Sequence, residues 1–267
     1  MLSRIASALV LAPAVLALVI FAKPLYLLAF LGLVGTLCLR EYFHLMEKMA
    51  LRGQPCLGYA GFWILLTGLH WKYLPWEVLL AGILISCFLA AMWRENPMRD
   101  RVAGMMVNLL GILYLGLFLY LALPLRYEFG EKLGLHWILI LLAVIWTGDV
   151  AALLIGKSVG RTLFSPEISP NKTNEGAVAG LVAGVAAAAA LQHFLFNELP
   201  LAHVAIVALL IGMVGQLGDL AESMLKRAAD AKDSSDLIPG HGGVLDRVDS
   251  LLFAIPVLYF YLLRLYS

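Results

Sequence analysis

Nine apolar segments, near 5–22, 25–39, 57–69, 76–93, 104–125, 135–156, 176–196, 201–221 and 251–266, take up most of this 267-residue chain, and short stretches of Pro, Gly and charge separate them. A helix that spans a bilayer needs roughly 20 predominantly apolar residues. The pattern therefore predicts an all-α integral membrane protein of about nine transmembrane helices with short loops, the segment at 57–69 being the weakest. Charged residues make up 14% of the chain, against about a quarter in a soluble domain, so lipid is the solvent of most of its surface. The organisation expected is a set of N-terminal transmembrane helices over 1–133 and a C-terminal set over 134–267 that carries the long polar connections.

Lysine and arginine accumulate in cytoplasmic loops, and this sets an orientation. With nine spans and the N-terminus inside, Lys23, Lys72, Arg126, Lys132 and Arg264 fall outside, and the other 14 of 19 bases fall inside. The two longest polar connections, 157–175 and 222–250, are then cytoplasmic, as expected of a multi-pass protein of a bacterial-type inner membrane. Arg4 followed by an apolar run looks like a signal peptide, but no small-residue cleavage site stands out around Ala22-Lys23-Pro24, so a retained first helix is expected. The net charge of +1 carries no nucleic-acid signal. Cys38, Cys56 and Cys87 lack the close pairing of a zinc site and read as free thiols. Gly176-x3-Gly180-x3-Gly184 has the spacing that lets two helix backbones approach closely in lipid; it permits a homodimer without requiring one.

Charge in the last third of the chain gathers from Gly218-Asp219 through Glu222-Ser223, Lys226-Arg227, Lys232-Asp233 and Gly240-His241-Gly242-Gly243 to Asp246-Arg247-Val248-Asp249. If the eighth span continues as a helix past Asp219, spacings of three and four bring Asp219, Glu222, Ser223 and Lys226 to one face. Asp246 and Asp249 share a face at the start of the ninth helix. Carboxylates suit magnesium, and lysine and arginine suit phosphate oxygens. Gly242-Gly243 let backbone N–H groups approach phosphate ahead of a helix N-terminus, and His241 can bond phosphate or orient a carboxylate. Such a set fits phosphoryl or nucleotidyl transfer, where catalysis is mostly positioning and charge neutralisation. Taken singly, each feature has a plainer reading: positive-inside bases, a glycine turn, acids that favour a helix N-terminus. All three lie within about thirty residues at a membrane boundary, where acids are costly, and this favours a site.

Ser223-Met-Leu-Lys226-Arg227, Lys232-Asp233, Pro239-Gly-His241-Gly242-Gly243 and Asp246-Arg247-Val-Asp249 together cover 27 positions. They closely resemble the signature of the phosphatidate cytidylyltransferase (CDP-diglyceride synthetase) family. A weaker match is Ser169-Pro-Asn-Lys172-Thr173-Asn-Glu175-Gly176, and a third is Asp149 followed by Ala152, Gly156 and Gly160. Asn174 stands where the family usually has tryptophan, and Leu153 where an aromatic is common.

The resemblance implies transfer of the cytidylyl group of CTP to phosphatidic acid, giving CDP-diacylglycerol and pyrophosphate with no protein nucleophile. It implies that Asp219, Asp246 and Asp249 gather Mg2+, with Asp233 a ligand or a support and a second cation left open. It implies that Lys226 and Arg227 act on phosphate beside the two C-terminal aspartates, and that Ser169, Lys172, Thr173, Ser223, Lys232, His241, Gly242, Gly243 and Arg247 contact CTP or the lipid headgroup. Asp149 is a further candidate as a metal or hydrogen-bonding residue, with pairing to Lys157 or another base as the equal alternative. A transporter would scatter charge over helices near the midplane and show a repeat; here charge clusters in loops and no repeat is visible. A CTP-dependent polyprenol or phytol kinase lacks this signature, and the spaced aspartates of a CDP-alcohol phosphotransferase are absent.

Overall fold

The computed structural model describes residues 2–238, 240 and 242–266, with side chains from Leu9 onward. Every apolar segment read from the sequence is helical. The helices are α1 (Leu2–Phe21), α2 (Pro24–Lys48), α3 (Pro55–Trp71), α4 (Trp76–Met92), α5 (Met98–Tyr127), α6 (Glu131–Val159), α7 (Asn174–Phe194), α8 (Leu201–Ala228) and α9 (Leu245–Tyr266). Proline at the first helical position starts α2 and α3, where a missing N–H costs nothing because that group has no intrahelical partner. Pro13 and Pro256 lie inside α1 and α9, a placement common in membrane helices. α5 turns π-helical over Ile112–Leu117.

Among the described residues α2, α5, α6, α7, α8 and α9 are long and apolar enough to cross a membrane. The apolar parts of α1 (Leu9–Phe21) and α4 are shorter, and α3 has 17 residues. Large apolar side chains stand exposed along these helices, among them Phe21, Phe88, Leu154, Val182 and Phe260. Water would penalise that surface, and a bilayer does not. The protein is a multi-pass, essentially all-α membrane protein.

One small element departs from the all-helical expectation. In the 157–175 connection, β1 (Leu163–Ser165) pairs antiparallel with β2 (Ser169–Thr173), in the register Leu163↔Thr173 and Ser165↔Ser169. Strands of three and five residues are too short to show a period-two pattern in sequence.

The chain divides into two compact units, Met1–Tyr120 with Leu225–Arg247, and Leu121–Met224 with Val248–Ser267. In the first, Leu39, Tyr42, Phe62, Leu65, Leu66, Ile112 and Leu115 form a fully buried core. Glycine permits close helix approach here: a Cβ at Gly111 would lie 2.8 Å from the Tyr42 ring, whose hydroxyl donates to the Val107 carbonyl at 3.0 Å. In the second unit, Trp137, Ile140, Val204, Ile211 and Leu258 fill the interior. The Gly176, Gly180 and Gly184 stripe lies against Ala152, Gly148 and Val144 of α6, so its small residues pack two helices of the same chain. All three cysteines are free, with Cys38 and Cys87 buried and Cys56 exposed.

Candidate active site

The two units each hold part of the polar constellation. In the second unit, Thr173 caps α7, its hydroxyl accepting the Gly176 N–H at 3.1 Å. Glu175 in the first turn holds the preceding bend by accepting the Arg161 N–H at 3.1 Å and the Thr162 hydroxyl at 3.0 Å. Asn174, in the tryptophan position, donates to the Thr162 hydroxyl at 3.0 Å. These bonds fix the end of β2, and Lys172 on it reaches Asp219 of α8 at 2.5 Å. Ser223, one turn on from Asp219, donates to it at 3.4 Å, as the predicted spacing required. Gly218 sits against α9, where a Cβ would come within 2.6 Å of the Asp249 carbonyl oxygen. Asp249 therefore lies on a segment of α9 that touches the turn of α8 carrying Asp219, and its carboxylate accepts the Ser250 N–H. Ser169 is half-buried on β2, and Asp149 is exposed on α6.

In the first unit, α8 ends in a left-handed cap. Asp230 has φ +49°, the Ala231 N–H returns to the Lys226 carbonyl at 2.8 Å and the Asp230 N–H to that of Arg227 at 3.1 Å, the Schellman pattern that satisfies carbonyls at a helix end. The Arg227 guanidinium donates to the Ala231 carbonyl at 3.1 Å. The chain then turns through 231–244 and enters α9. Lys226 is buried on the last turns of α8, on the helical continuation that the spacing predicted, and pairs with Asp246 at 2.5 Å.

Asp246 is the hub of this half. Its Oδ1 meets Lys226, and its Oδ2 accepts the Ser234 N–H at 2.8 Å, the Ser234 hydroxyl at 2.7 Å and the Gly243 N–H at 2.8 Å. The Gly243 N–H, read from sequence as facing phosphate, is thus donated to a carboxylate. Glycine is needed at 243 for room, since a Cβ would overlap Ser234 and Glu41. Gly242, with φ +78° and half-buried, supplies the turn before it. Lys232, Asp233 and Arg247 are exposed. His241 lies outside the described residues.

A residue not singled out in the sequence completes the hub. Glu41 of α2, 4% exposed, accepts the Ser235 hydroxyl at 2.6 Å, the Val244 N–H at 2.9 Å and the Leu245 N–H at 2.7 Å. Its Oε2 also lies 3.0 Å from the Ser234 hydroxyl. Ser234 has one proton and two carboxylate neighbours, so it ties Glu41 to Asp246. Glu41 satisfies N–H groups at the start of α9 that no helical carbonyl can reach, the usual task of a capping side chain. The available signal was an acid at the end of the apolar stretch 25–39, at a membrane boundary where acids are costly unless partnered.

A family model described as the Cytidylyltransferase family matches residues 2–265. The chain belongs to this family. Relatives named phosphatidate cytidylyltransferase include that of Bacillus subtilis, 34% identical over 241 residues and covering 88% of this chain and 87% of the relative. That of Synechocystis is 34% identical over 270 residues, covering 90% and 89%. That of Brucella suis is 37% identical over 207 residues, covering 74% and 71%. Within this cytidylyltransferase, no three His, Cys, Asp or Glu side chains among the described residues converge into a ready cation cage. Mg2+ on a nucleotide typically takes one or two carboxylates and fills its shell with water and substrate phosphates.

Proposed function

We propose that this cytidylyltransferase is a phosphatidate cytidylyltransferase. A phosphate oxygen of phosphatidic acid attacks the α-phosphorus of CTP, the bond to the β-phosphate breaks, and pyrophosphate leaves as CDP-diacylglycerol forms. The observation that carries this reading is the family match over nearly the whole chain, with the signature residues folded into two basic and acidic clusters at helix ends. Lys172, Arg227, Lys232 and Arg247 bind phosphate oxygens as charge-assisted donors; Ser169, Thr173, Ser223, His241 and Gly242 are the remaining substrate contacts, and Gly243 supports the turn through Asp246. Mg2+, when bound by Asp219 and Asp249 with CTP, offsets the negative charge that develops on the phosphates. Asp233 and Asp246 belong to the same acidic set, with Asp246 and Lys226 positioning the 231–244 segment.

In this reading all nine helices cross the membrane, the 157–175 and 222–250 connections face the cytoplasm where CTP is dissolved, and the membrane is a bacterial inner membrane. The helices of 134–267 carry the catalytic connections, and a homodimer remains compatible with the fold. The test is to follow labelled pyrophosphate release from CTP and lipid product with and without phosphatidic acid. Release that requires phosphatidic acid and matches CDP-diacylglycerol formed supports the reading. CDP as product with a phosphorylated polyprenol would overturn it in favour of a lipid kinase, and no turnover of CTP at all would favour a transporter.

A further inference from the structure

Within the first unit, α3 and α4 form a hairpin that is short for the membrane around it. Each has 17 residues, a rise of about 25 Å, against roughly 30 Å for a typical hydrocarbon core. No Asp, Glu, Lys or Arg lies between Pro55 and Trp71 or between Val78 and Met92. The Thr67 hydroxyl donates to the Trp63 carbonyl at 2.6 Å, and that of Ser86 to the Gly82 carbonyl at 2.7 Å. Polar groups are thus satisfied within each helix, as a lipid-facing segment requires. On α4, Val78, Leu84, Ile85 and Phe88 are exposed, a surface suited to acyl chains.

Both ends of the hairpin are marked. Four of the six tryptophans, Trp63, Trp71, Trp76 and Trp93, are exposed, and all four belong to this hairpin or cap it. At the turn, Trp71 stacks on Tyr73 with ring centroids 5.9 Å apart, and Trp76 opens α4 next to Glu77. At the far end Trp93 closes α4. Tryptophan and tyrosine collect at the two membrane–water interfaces, so the rings mark both. Beside Trp93, Arg101 donates to the Met92 carbonyl at 3.1 Å and Arg94 to the Arg52 carbonyl at 2.7 Å. These guanidinium groups are held at the backbone, which fixes the polar boundary there instead of letting long side chains reach outward. Nor can the two helices slide apart to lengthen the span. A Cβ on Gly68 would lie 2.9 Å from Leu79, and Ile83 and Cys87 share one buried cluster with Leu65 and with Ile112 of α5. A short span of fixed length leaves the lipid to make up the difference.

We infer that the α3–α4 hairpin, seated by its aromatic ends, gathers short-chain phospholipid around itself and thins the bilayer where longer chains surround it. The inference rests on the reading that α3 and α4 cross the membrane, and it holds whatever reaction the chain performs. The test uses the full chain in vesicles that mix monounsaturated 14-carbon and 22-carbon phosphatidylcholine equally, with one or the other brominated. Because the exposed tryptophans all lie on the hairpin, quenching of their fluorescence reports its lipid neighbours. The 14-carbon lipid should be enriched about twofold or more over the 22-carbon lipid. Trp76→Leu/Trp93→Leu, two exposed positions, keeps the apolar length and removes an anchor from each end, so Trp63 and Trp71 should then meet the two lipids about equally. Should that variant not fold, the wild-type comparison decides alone. A third chain, with Trp71, Trp76 and Trp93 changed to Phe, tests the crossing itself through Trp63, which sits in mid-helix. Bromines near the chain ends should quench Trp63 most. Strongest quenching by bromines near the headgroup means a hairpin lying flat, and refutes the crossing together with the inference. With the crossing intact, equal contact with both lipids in the wild type, or an enrichment that the Leu variant keeps, overturns the inference alone.

Discussion

Replacing Asp246 with Asn separates the two roles that its position allows. In the structure the carboxylate neutralises a buried Lys226 at 2.5 Å and accepts three further donors. Asn keeps the shape but removes the charge, and one of its two terminal atoms becomes a donor, so it cannot accept from Lys226 on one side and from Ser234 and Gly243 on the other. Removing one partner of a buried ion pair costs roughly 3–5 kcal/mol because the other charge stays buried and uncompensated. At roughly 2–4 °C per kcal/mol for a chain of this size, the unfolding midpoint should fall by about 6–20 °C. The companion change Lys226→Met should cost a similar amount alone. The double variant should cost less than the sum, because the pair is lost only once. Asp249→Asn is the control: the Asp249 carboxylate is only half-buried and accepts the neighbouring Ser250 N–H, so its stability cost should stay within about 1 kcal/mol. Thermal unfolding in detergent reads all four proteins, and CDP-diacylglycerol synthesis reads their activity. Asp246→Asn with an unchanged midpoint would refute the structural role, and Asp249→Asn with full activity would remove Asp249 from the chemistry.

Glu41→Gln should loosen the entry to α9, with a loss of roughly 1.5–3 kcal/mol for a charged hydrogen bond. Faster hydrogen exchange at the Val244 and Leu245 amides is the readout, and unchanged protection there argues against the cap. Asp230→Gly should stabilise the chain by about 1 kcal/mol by relieving a left-handed residue; an unchanged or lower midpoint contradicts that. Gly218→Ala places a methyl group 2.6 Å from the Asp249 carbonyl, so it should cost roughly 1–3 kcal/mol as an overpacked contact and reduce activity as α8 and α9 separate. For orientation, single cysteines at Glu167 and Leu237, both exposed, in a chain with Cys56→Ser, should resist an impermeant thiol reagent applied outside intact cells. Labelling of either from outside inverts the proposed topology.

Among the described residues each of the nine apolar segments is helical, and six of the helices are long and apolar enough to cross a membrane; these were legible because length and hydrophobicity are local quantities on which lipid selects directly. The helix that begins at 174 was visible for the same reason, and the glycine stripe of α7 announced a close helix contact through its spacing, while only the tertiary structure makes α6 of the same chain the partner. The continuation of α8 past Asp219 followed from periodicity, and with it the bond from Ser223 to Asp219. What sequence could not supply was the partner of each charge. Lys226 reads as an ordinary basic residue near a membrane surface until the chain returns with Asp246, twenty positions later, to bury it. Glu41 reads as one of several charges past the apolar stretch of α2 until Ser234, 193 positions away, and the start of α9 arrive to use it. A carboxylate carries no record of which donor will satisfy it, since any N–H or O–H at the right distance will do. That choice is made by the tertiary structure, which leaves a buried charge stable only where distant segments bring enough donors to it.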